Sequence, residues 1–374
     1  MKKICILRNN QIKPDSRVEK EAACLIEAGY NVRVLAWDRE SNHKPIEGYI
    51  HSMGVDIPIV WFGHKASFGG GMSSLKAFVS FQKSLIVWLI KHRKDVDIIH
   101  ACDFDTAFIA SIVKKIFRKT LVFDIFDFWF GNPNNIFQKI IRGLQNKIIN
   151  LAEATIICTE ERIYQIRDSR PQNLTVIHNT PPKVNIETWG GVSSNKTKVC
   201  YVGIFQQGRL LEEMPKFFIN HPDIELHIGG FGRFETLYEE LAKKYSNIFY
   251  YGRLKYEQTL ALENACDIML AIYDPSQENH VFAAPNKFYE SLMLGKPVLM
   301  AKGTGLSSIV EEEIIGATIE YSIKGFEEGI LELESKKIEW NKMADRMKKL
   351  YDEKYGWEEM KNRLLELYSR LAKL

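Results

Sequence analysis

A short polar run near residue 290 has the residue types and the spacing of a ligand-binding helix start. It reads Pro285-Asn286-Lys287 and reaches a carboxylate, Glu290, one turn later. On a helix, Asn286, Lys287 and Glu290 share one face, because residues three and four apart are neighbours. Free N–H groups at a helix start attract phosphates, whereas a carboxylate one turn further in suits sugar hydroxyls. The run therefore predicts a site for a nucleotide sugar or a similar ligand.

The residues after this run predict the elements that hold it in place. Gly295 suits the C-terminal cap of a helix whose first position is Pro285, and Pro297 prevents that helix from continuing. The apolar run 298–300 is typical of a buried parallel strand. We therefore predict a helix with one face in a cleft and the other on a sheet.

Length and composition are those of an ordinary soluble globular chain with two domains. The chain has 374 residues, more than twice the roughly 150 residues of one domain. Its net charge of +3 gives no indication of nucleic-acid binding. Six cysteines without C-x-x-C spacing predict buried thiols in a reducing compartment. No segment has the apolar pattern of a signal peptide or a membrane span, so we expect a cytoplasmic protein.

The hydrophobic pattern predicts an α/β fold in two successive domains with parallel sheets. Short apolar strands alternate with helices in both halves of the chain, which is the order of strand–helix–strand units. Residues 181–197 lack periodicity and contain prolines, glycines and serines, which is typical of a linker. We therefore predict domains over 1–180 and 198–354, with a further helix over 355–374.

Polar side chains follow several of the predicted strands, where ligands gather in open α/β sheets. In the N-terminal half these are Asp103, Asp127 and Asn179. The two aspartates are candidates for contacting an acceptor hydroxyl or the donor sugar, but acidic residues at strand ends also cap helices. Asn179 is expected to order the chain rather than to contact ligand. In the C-terminal half the strands end in small or basic residues, which is typical of a nucleotide-binding rim.

The stretch 75–94 differs from the rest of the chain. It is apolar and helix-like, and lysine, arginine and histidine residues flank it. A basic amphipathic helix can lie on an anionic membrane surface. The alternative is a core helix with solvated ends.

Taken in order, these pieces resemble the retaining glycosyltransferases of family 4. The resemblance covers essentially the whole chain. In the N-terminal half it rests on Asp15-Ser16-Arg17-Val18, His100-Ala101-Cys102-Asp103 and Ile177-His178-Asn179. In the C-terminal half it rests on Tyr201-Val202-Gly203 with Gly208-Arg209, on Gly229-Gly230-Phe231-Gly232, on Tyr251-Gly252-Arg253-Leu254, and on Pro285-Asn286-Lys287 with Glu290.

The resemblance implies the GT-B fold, in which two Rossmann-like domains with parallel sheets face a central cleft and the C-terminal helix returns to the N-terminal domain. It also implies metal-independent transfer of a sugar, with retention, from a nucleoside diphosphate sugar, and no cofactor. A UDP-sugar is the favoured donor. The acceptor would be a saccharide or a polyprenol-linked saccharide in the assembly of a surface polysaccharide or glycolipid. The stretch 75–94 would then hold the enzyme at the inner face of the membrane.

The resemblance also implies a role for each matching residue. A transferase without a metal must neutralise the leaving diphosphate with cationic side chains and helix N–H groups. Arg209 and Lys287 are expected to do so, and Glu290 to bind the ribose. The expected donor-binding residues are Gly203, Arg209, Gly230, Phe231, Gly232, Tyr251, Gly252, Arg253, Leu254, Pro285, Asn286, Lys287 and Glu290. The expected catalytic residues are Asp103, Asp127 and Glu290, and the expected acceptor-binding residues are Asn10, Asp15 and Arg17. Arg17 has the alternative of being a solvated helix residue.

The sequence departs from the family pattern at three positions. Phe282 stands eight residues before Glu290, where many members carry a glutamate that contacts the donor sugar. Cys102 and Phe126 stand where members often have histidine. The departures keep open the alternative of a catalytically degenerate GT-B subunit that only binds, and a second alternative with the same fold is a nucleotide-sugar 2-epimerase. The candidates to replace the missing glutamate are Asn279, His280 and Asn286.

Overall fold

The computed structural model contains two compact units. The first combines Met1–His178 with Met360–Leu374, and the second comprises Asn179–Glu359. Among the described residues, no helix combines the length and the apolar character needed to cross a membrane. The structure describes residues 2–66, 71–131, 133–190 and 195–373.

The first unit is built on an eight-stranded sheet in the order β3-β4-β2-β1-β5-β6-β7-β8. Every neighbouring pair is parallel except β3 and β4, which are antiparallel. The strands are β1 (Lys3–Arg8), β2 (Asn31–Asp38), β3 (His43–Ser52), β4 (Val55–Gly63), β5 (Ile98–Cys102), β6 (Thr120–Ile125), β7 (Ala154–Ile157) and β8 (Leu174–Val176). The helices are α1 (Ser16–Glu27), α2 (Gly71–Lys91), α3 (Asp103–Phe117), α4 (Ile136–Leu151), a 3-10 turn (Glu160–Tyr164) and, from Met360 onward, α13 (Trp357–Ala372).

Three helices cover one face of this sheet. α2 contributes Phe81 and Leu85, α3 contributes Ala107 and Val113, and α4 contributes Ile149 to a single apolar cluster with the strands. Their other faces carry exposed apolar and basic residues. Buried and exposed faces along one helix are what amphipathic spacing produces.

The hairpin of β3 and β4 is not evident in the hydrophobic pattern. Its two-residue turn is formed by Met53 and Gly54, with φ of 50° and 80°. Such turns need positive φ at both central residues, which is why Asn-Gly and Asp-Gly are their usual signal. Because Met53 is not a residue that signals such a turn, the hairpin cannot be predicted from the sequence.

The second unit is built on a six-stranded, fully parallel sheet in the order β11-β10-β9-β12-β13-β14. The strands are β9 (Thr197–Phe205), β10 (Ile224–Gly232), β11 (Ile248–Tyr250), β12 (Ile268–Leu270), β13 (Val298–Ala301) and β14 (Gly316–Ile319). The helices are α5 (Pro215–Asn220), α6 (Glu235–Lys244), α7 (Tyr256–Ala265), α8 (Glu278–Val281), α9 (Asn286–Leu294), α10 (Ser307–Glu312), α11 (Ile323–Ser335) and α12 (Trp340–Leu350), with a 3-10 turn (Lys337–Glu339) and a π-helical turn (Tyr351–Tyr355).

The predicted α/β architecture with parallel sheets is confirmed, and the differences are local. Pro285 is the N-cap of α9 rather than its first helical residue, whereas Gly295 caps the other end in the left-handed region as expected. Thr159 precedes a short 3-10 turn, and its side chain makes no capping hydrogen bond there. All six cysteines are buried and form no disulfide. Residues 191–194 of the predicted linker lie outside the described residues.

Candidate functional site

The predicted donor-binding glycines lie where β9 and β10 run side by side to the edge of the sheet. Gly203 of β9 is in register with Gly230 of β10. Gly230 has φ of 142°, and a Cβ placed on it would lie 1.9 Å from the carbonyl oxygen of Gly203. The two backbones therefore approach more closely than any side chain allows, which is a position that only glycine tolerates. β10 continues through Gly232 because this close pairing extends to the end of β9.

Lys287 points its ammonium group at the end of β9. A Cβ on Gly203 would lie 2.7 Å from Lys287 Nζ, and the Nζ atom lies 4.8 Å from the ring centre of Tyr201. Burial lowers the pKa of Lys287, but two nearby tyrosines and the carboxyl groups of Glu290 and Glu263 outweigh it, so the pKa is raised. Lys287 therefore stays positively charged at this glycine, as a group that binds phosphate must.

Arg209 presents a second cation in the same unit. Its guanidinium carbon lies 3.4 Å from the ring centre of Tyr273, which fixes the plane of the group. The Nη1 atom is buried and makes no hydrogen bond to any residue that the structure describes. A buried donor without a partner is rare in proteins and calls for a ligand or water. Because a guanidinium binds two phosphate oxygens in one plane, an anionic group is the ligand that this geometry favours.

The helix start supplies the third part of the site. Asn286 begins α9, and its Oδ1 atom accepts a hydrogen bond from Nδ2 of Asn179 at 2.6 Å. Asn179 thus contacts this helix start, a contact that its position after a strand did not predict. One turn further on, Glu290 is 4% exposed and lies beside the phenol of Tyr256. The first N–H groups of any helix have no partner within it, so this end of α9 is suited to anions.

The loops after β10 and β11 hold each other together. The N–H of Gly230 donates to the carbonyl oxygen of Gly252 at 2.7 Å. The guanidinium carbon of Arg253 lies 4.4 Å from the ring centre of Phe231. Leu254 packs so closely on Gly229 that a Cβ there would lie 2.8 Å from its Cδ1 atom. The structure therefore brings these predicted donor-binding residues together at one edge of the sheet.

Of the candidates to replace the glutamate missing at Phe282, His280 lies close to Arg209. Phe282 ends the short helix α8 and is half-buried. His280 of the same helix packs edge-on against Tyr273, at 5.2 Å between ring centres, and Tyr273 is the ring on which Arg209 stacks. His280 therefore lies nearer to the predicted phosphate-binding cation than its sequence position alone indicates. Asn286 is already bonded to Asn179.

Glu263 is a buried acid that lies beside the site. It was not among the predicted site residues. It lies on α7 and is 1% exposed, and neither carboxyl oxygen has a hydrogen-bond partner in the described parts of the chain. Burial and the neighbouring Glu290 raise the pKa of Glu263 well above its ordinary value. The buried position therefore favours the protonated, uncharged form of this side chain. Nothing in the sequence marks it, because glutamate is common on the solvated face of any helix.

This pKa shift makes the stability of the protein depend on pH. The folded state holds a proton on Glu263 that the unfolded state releases, so the acid costs stability increasingly as pH rises above the ordinary glutamate range. We expect Glu263→Gln to raise the free energy of unfolding by about 1–3 kcal/mol at about pH 8, and by less at about pH 5. Urea unfolding at the two pH values measures this. The exposed Glu257 of the same helix provides the control variant Glu257→Gln, and an equal gain at both pH values would contradict the assignment.

In the first unit, Arg8 joins two of the predicted site residues and was itself missed. Its Nε atom lies 2.7 Å from Oδ2 of Asp15, and its Nη1 atom lies 2.6 Å from Oδ2 of Asp103. Nδ2 of Asn10 donates to the same Asp15 oxygen at 2.7 Å. Arg8 ends β1, so a cation at the carboxyl end of the first strand was the available signal. The structure thus places Asn10, Asp15 and Asp103 around one arginine.

The two predicted catalytic aspartates differ in how accessible their carboxyl oxygens are to a ligand. Oδ1 of Asp103 accepts from the backbone N–H groups of Phe126 and Asp127, each at 3.0 Å, and its other oxygen accepts from Arg8. Burial raises the pKa of Asp103 despite the nearby Arg8. Asp127 pairs only loosely with Arg162, at 3.3 Å, and its side chain is 61% exposed. Asp127 is therefore the more accessible of the two, and the catalytic role of each stays a prediction.

Arg17 is buried rather than solvated. Its Nη2 atom lies 2.7 Å from Oδ1 of Asp124, its Nη1 atom donates to the carbonyl oxygen of Ile177 at 2.7 Å, and its Nε atom lies 3.3 Å from Glu21. The alternative of a solvated helix residue is therefore wrong. The protein itself occupies all three nitrogens, so the predicted acceptor-binding role would need one of these contacts to be exchanged for a ligand.

A possible metal-binding group lies in the same interior. His100, Cys102 and Asp124 offer ligand atoms within 4.8 Å of one another. The Arg17 guanidinium already neutralises Asp124, and Nδ1 of His100 lies 2.7 Å from the hydroxyl of Tyr368. A fixed cation bonded to one ligand opposes a second cation there. These residues therefore do not suit a metal, and His100 is a packed strand residue.

Two adjoining cavities open at the end of β1 and at the β3–β4 hairpin. The larger has a volume of about 560 Å³, and three side-chain amides, those of Asn9, Asn10 and Gln11, line it. The smaller has a volume of about 370 Å³ and includes Trp61. The two share Gln11, Lys13 and Glu40 as lining. Amides, one aromatic ring and a volume within the usual roughly 300–1,000 Å³ of ligand pockets suit a polyhydroxylated molecule such as a saccharide.

Asp105 is a titratable acid that contacts Asn9, one of the lining residues of the larger cavity. Asn9 donates a hydrogen bond from Nδ2 to Oδ2 of Asp105, whose other carboxyl oxygen has no partner among the described residues. Burial, and then the neighbouring Asp103, raise the pKa of Asp105 to about 7. Nothing in the sequence marks Asp105 as unusual, because it is a first-turn residue of α3, where acids are common.

Comparison with known proteins agrees with these observations. Residues 191–350, which contain the predicted donor-binding residues, match the family model of the glycosyl transferases group 1. No curated protein matches the chain significantly in sequence.

Solved structures match over the whole chain. Sucrose-phosphate synthase from Thermosynechococcus elongatus superposes with a TM-score of 0.78 at 13% identity, covering 100% of both chains. HepE from Anabaena, in complex with UDP-glucose, gives 0.72 at 14% identity over 99% of this chain and 100% of that one. WaaG, a glycosyltransferase involved in lipopolysaccharide biosynthesis, gives 0.64 at 12% identity over 97% and 98%. The chain therefore has the GT-B fold of these glycosyltransferases, with a region similar to glycosyl transferases group 1 in its second unit.

Proposed function

We propose that the protein is a retaining glycosyltransferase of family 4 that takes its sugar from a nucleoside diphosphate sugar. The observation that carries this proposal is the pair of cations, Arg209 and Lys287, beside glycines that allow a ligand to reach the backbone. Both lie within the region similar to glycosyl transferases group 1. Two cations and a helix start are the groups that a diphosphate leaving group requires.

The site assigns separate tasks to its residues in this proposal. Arg209 and Lys287 stabilise the negative charge that develops on the diphosphate as the bond to the sugar breaks. Glu290, buried one turn into α9, accepts hydrogen bonds from the ribose hydroxyls. The acceptor hydroxyl attacks the anomeric carbon, and its proton passes to an oxygen of the departing diphosphate. Retention then needs no separate protein base, and the cations that we assign to the diphosphate do the main catalytic work without a metal.

The acceptor in this proposal is a saccharide, free or linked to polyprenol, for the assembly of a surface polysaccharide or glycolipid. The amide-lined cavity at the end of β1 supports a sugar ligand, because side-chain amides both donate and accept hydrogen bonds. HepE was solved with UDP-glucose, and WaaG takes part in lipopolysaccharide biosynthesis. A lipid-linked acceptor would place the enzyme at the inner face of the membrane.

A thermal-shift screen against UDP-, GDP-, dTDP- and ADP-sugars tests the donor assignment. A ligand at about 100 times its Kd stabilises the folded state by about 2.7 kcal/mol, so the true donor raises Tm by several degrees. We expect one nucleotide series, with UDP first, to stand out. No shift with any nucleotide sugar would contradict the proposal.

Turnover assays separate the proposal from its alternatives. A 2-epimerase would bind a nucleotide sugar and convert it without any acceptor, which NMR of the sugar detects. A binding subunit would give a shift but no turnover under any condition.

A further inference from the structure

The two adjoining cavities at the end of β1 and at the β3–β4 hairpin differ in their chemistry. Side-chain amides line the larger cavity, whereas the smaller one contains the ring of Trp61 and the side chain of Ile46. Their volumes of about 560 and 370 Å³ each lie within the usual roughly 300–1,000 Å³ of a ligand pocket. The pair therefore has room for two joined units, one in a polar environment and one beside an aromatic ring.

The order of the strands sets a direction from one cavity to the other. The larger cavity lies beyond the end of β1, and β1 neighbours β5, the strand that leads into the predicted catalytic residue Asp103. The smaller cavity includes His43 and Ile46 of β3 and Trp61 of β4, on the opposite side of β1 from β5. A ligand that fills both cavities therefore has one unit on the side of Asp103 and its next unit at the hairpin.

Trp61 is held in one orientation. Its indole Nε1 donates a hydrogen bond to the carbonyl oxygen of Gln11 at 3.0 Å. The six-membered ring of the same indole lies against Gly48, where a Cβ would approach the Cζ3 atom to 2.9 Å. The φ of Gly48 lies outside the range that favours glycine, so it is the ring of Trp61 that leaves no room for a side chain there. The plane of the indole is therefore fixed before any ligand arrives.

The exposed side chain of Lys13 lies over this indole. Its Nζ atom is 4.7 Å from the ring centre of Trp61. A cation over a ring at an exposed site is held weakly, so a ligand can take its place. The ring of Trp61 is thus accessible to a group that packs on an aromatic plane.

Asp38 arranges the polar side of the smaller cavity. Its carboxylate accepts hydrogen bonds from Nε2 of Gln11 at 2.5 Å, from the N–H of Glu40 at 2.8 Å and from the hydroxyl of Ser41 at 2.8 Å. Nε2 of His43 lies 2.9 Å from the same carboxylate. Burial raises the pKa of Asp38, but these hydrogen bonds outweigh burial and hold the pKa below its ordinary value. The rim is ordered in advance, which lowers the cost of ordering it on binding.

We propose that the smaller cavity is a second sugar subsite. The acceptor is then a saccharide of at least two units, whose reacting sugar lies in the amide-lined cavity and whose next sugar stacks on Trp61. The proposal rests on the proposed transfer to a saccharide and specifies the length of the acceptor. A sugar ring combines a face of C–H groups, which packs on the negative face of an aromatic ring, with hydroxyl groups around its edge. Trp61 and the polar rim around Asp38 match these two parts.

Other ligands fit the smaller cavity less well. A nucleotide base could stack on Trp61, but its phosphates would meet a lining that holds two carboxylates, Asp38 and Glu40, and one lysine. A lipid chain would press hydrocarbon against the charged groups of Asp38 and Lys13, which is costly. A neutral sugar ring avoids both costs.

Saturation-transfer NMR with the full chain tests the proposal. The probes are neutral disaccharides built from glucose, galactose, mannose and N-acetylglucosamine, each compared with the methyl glycoside of its non-reducing sugar. We expect at least one disaccharide to bind roughly two- to tenfold more tightly than its monosaccharide, which is the scale of one aromatic contact. The C–H protons of its second sugar should receive strong saturation from the indole.

Substitutions on the hairpin show whether Trp61 carries this preference. Trp61→Ala should lower the affinity for the disaccharide to that for the monosaccharide, and Trp61→Phe should keep part of the difference. Gly48→Ala displaces the ring without removing it and should reduce the same preference. Tyr49→Ala is the matched control, because Tyr49 is an exposed aromatic residue of the same hairpin on the opposite face of the sheet. Thermal melts confirm that each variant is folded.

Four outcomes would overturn the proposal. The unaltered chain could bind no disaccharide more tightly than its monosaccharide, Trp61→Ala could keep the preference, or Tyr49→Ala could lose it as fully as Trp61→Ala does. Binding of a nucleoside that Trp61→Ala abolishes would assign the ring to a base. These titrations contain no nucleotide sugar, so failure here leaves the donor site in place, and failure of the donor assignment would not change these results.

Discussion

Replacing Arg209 with alanine is expected to lower kcat/KM for the nucleotide-sugar donor by a factor of roughly 30 to 1,000. This loss corresponds to about 2–4 kcal/mol of transition-state stabilisation. The physical reason is the buried Nη1 atom, which has no partner among the described residues and is held in place by the ring of Tyr273. A donor group that is already desolvated and oriented stabilises a developing charge without reorganisation. Steady-state release of the nucleoside diphosphate measures the loss.

Two further variants show whether the loss belongs to this site. Arg209→Lys keeps the charge but loses the planar fork, so it should recover only part of the activity. Lys243→Ala removes an exposed charge at the end of α6 and should leave kcat/KM unchanged. Full activity in Arg209→Ala would remove Arg209 from the proposed mechanism.

Replacing Arg17 with alanine is expected to lower the free energy of unfolding by about 3–5 kcal/mol. The substitution leaves Asp124 and Glu21 without their cation in an interior where both are about 1% exposed or less. It also leaves the carbonyl oxygen of Ile177 without a donor. Urea unfolding measures the change.

Controls for Arg17 distinguish a structural residue from a ligand-binding one. Arg33→Ala removes a half-exposed arginine of the same sheet that pairs with Glu47 at 3.6 Å, and it should cost less than about 1 kcal/mol. Adding Asp124→Asn to Arg17→Ala should restore part of the lost stability, because the uncompensated charge is then removed. If Arg17 instead binds the acceptor, Arg17→Ala would keep its stability and raise KM for the acceptor.

Much of the fold follows from local patterns in the sequence. The strand–helix alternation, the cap at Gly295 and the glycine-ended strands predict two parallel α/β units, because each depends on neighbouring residues alone. The β3–β4 hairpin was not predicted because its turn contains Met53, a residue without a turn preference.

Some residues of the candidate sites could likewise be predicted from local sequence patterns, and others could not. The residues of α9 and the glycine loops could be singled out because spacing along the chain places them on one face or at one edge. Arg8 and Glu263 could not, since their importance comes from partners far away in sequence. For Arg17, its position in the first turn of α1 does not reveal the buried Asp124 that it neutralises.

Calorimetric titration with a nucleoside diphosphate tests the central claim, nucleotide-sugar binding at Arg209 and Glu290, most directly. For the unaltered chain we predict binding of the nucleotide series that the thermal-shift screen selects, and for Arg209→Ala a Kd raised by roughly tenfold or more, the scale of one charge-assisted hydrogen bond. Glu290→Ala should weaken the ribonucleotide but not an analogue without ribose hydroxyls. Equal affinity of all three proteins for the diphosphate, or no binding by the unaltered chain, would contradict the account.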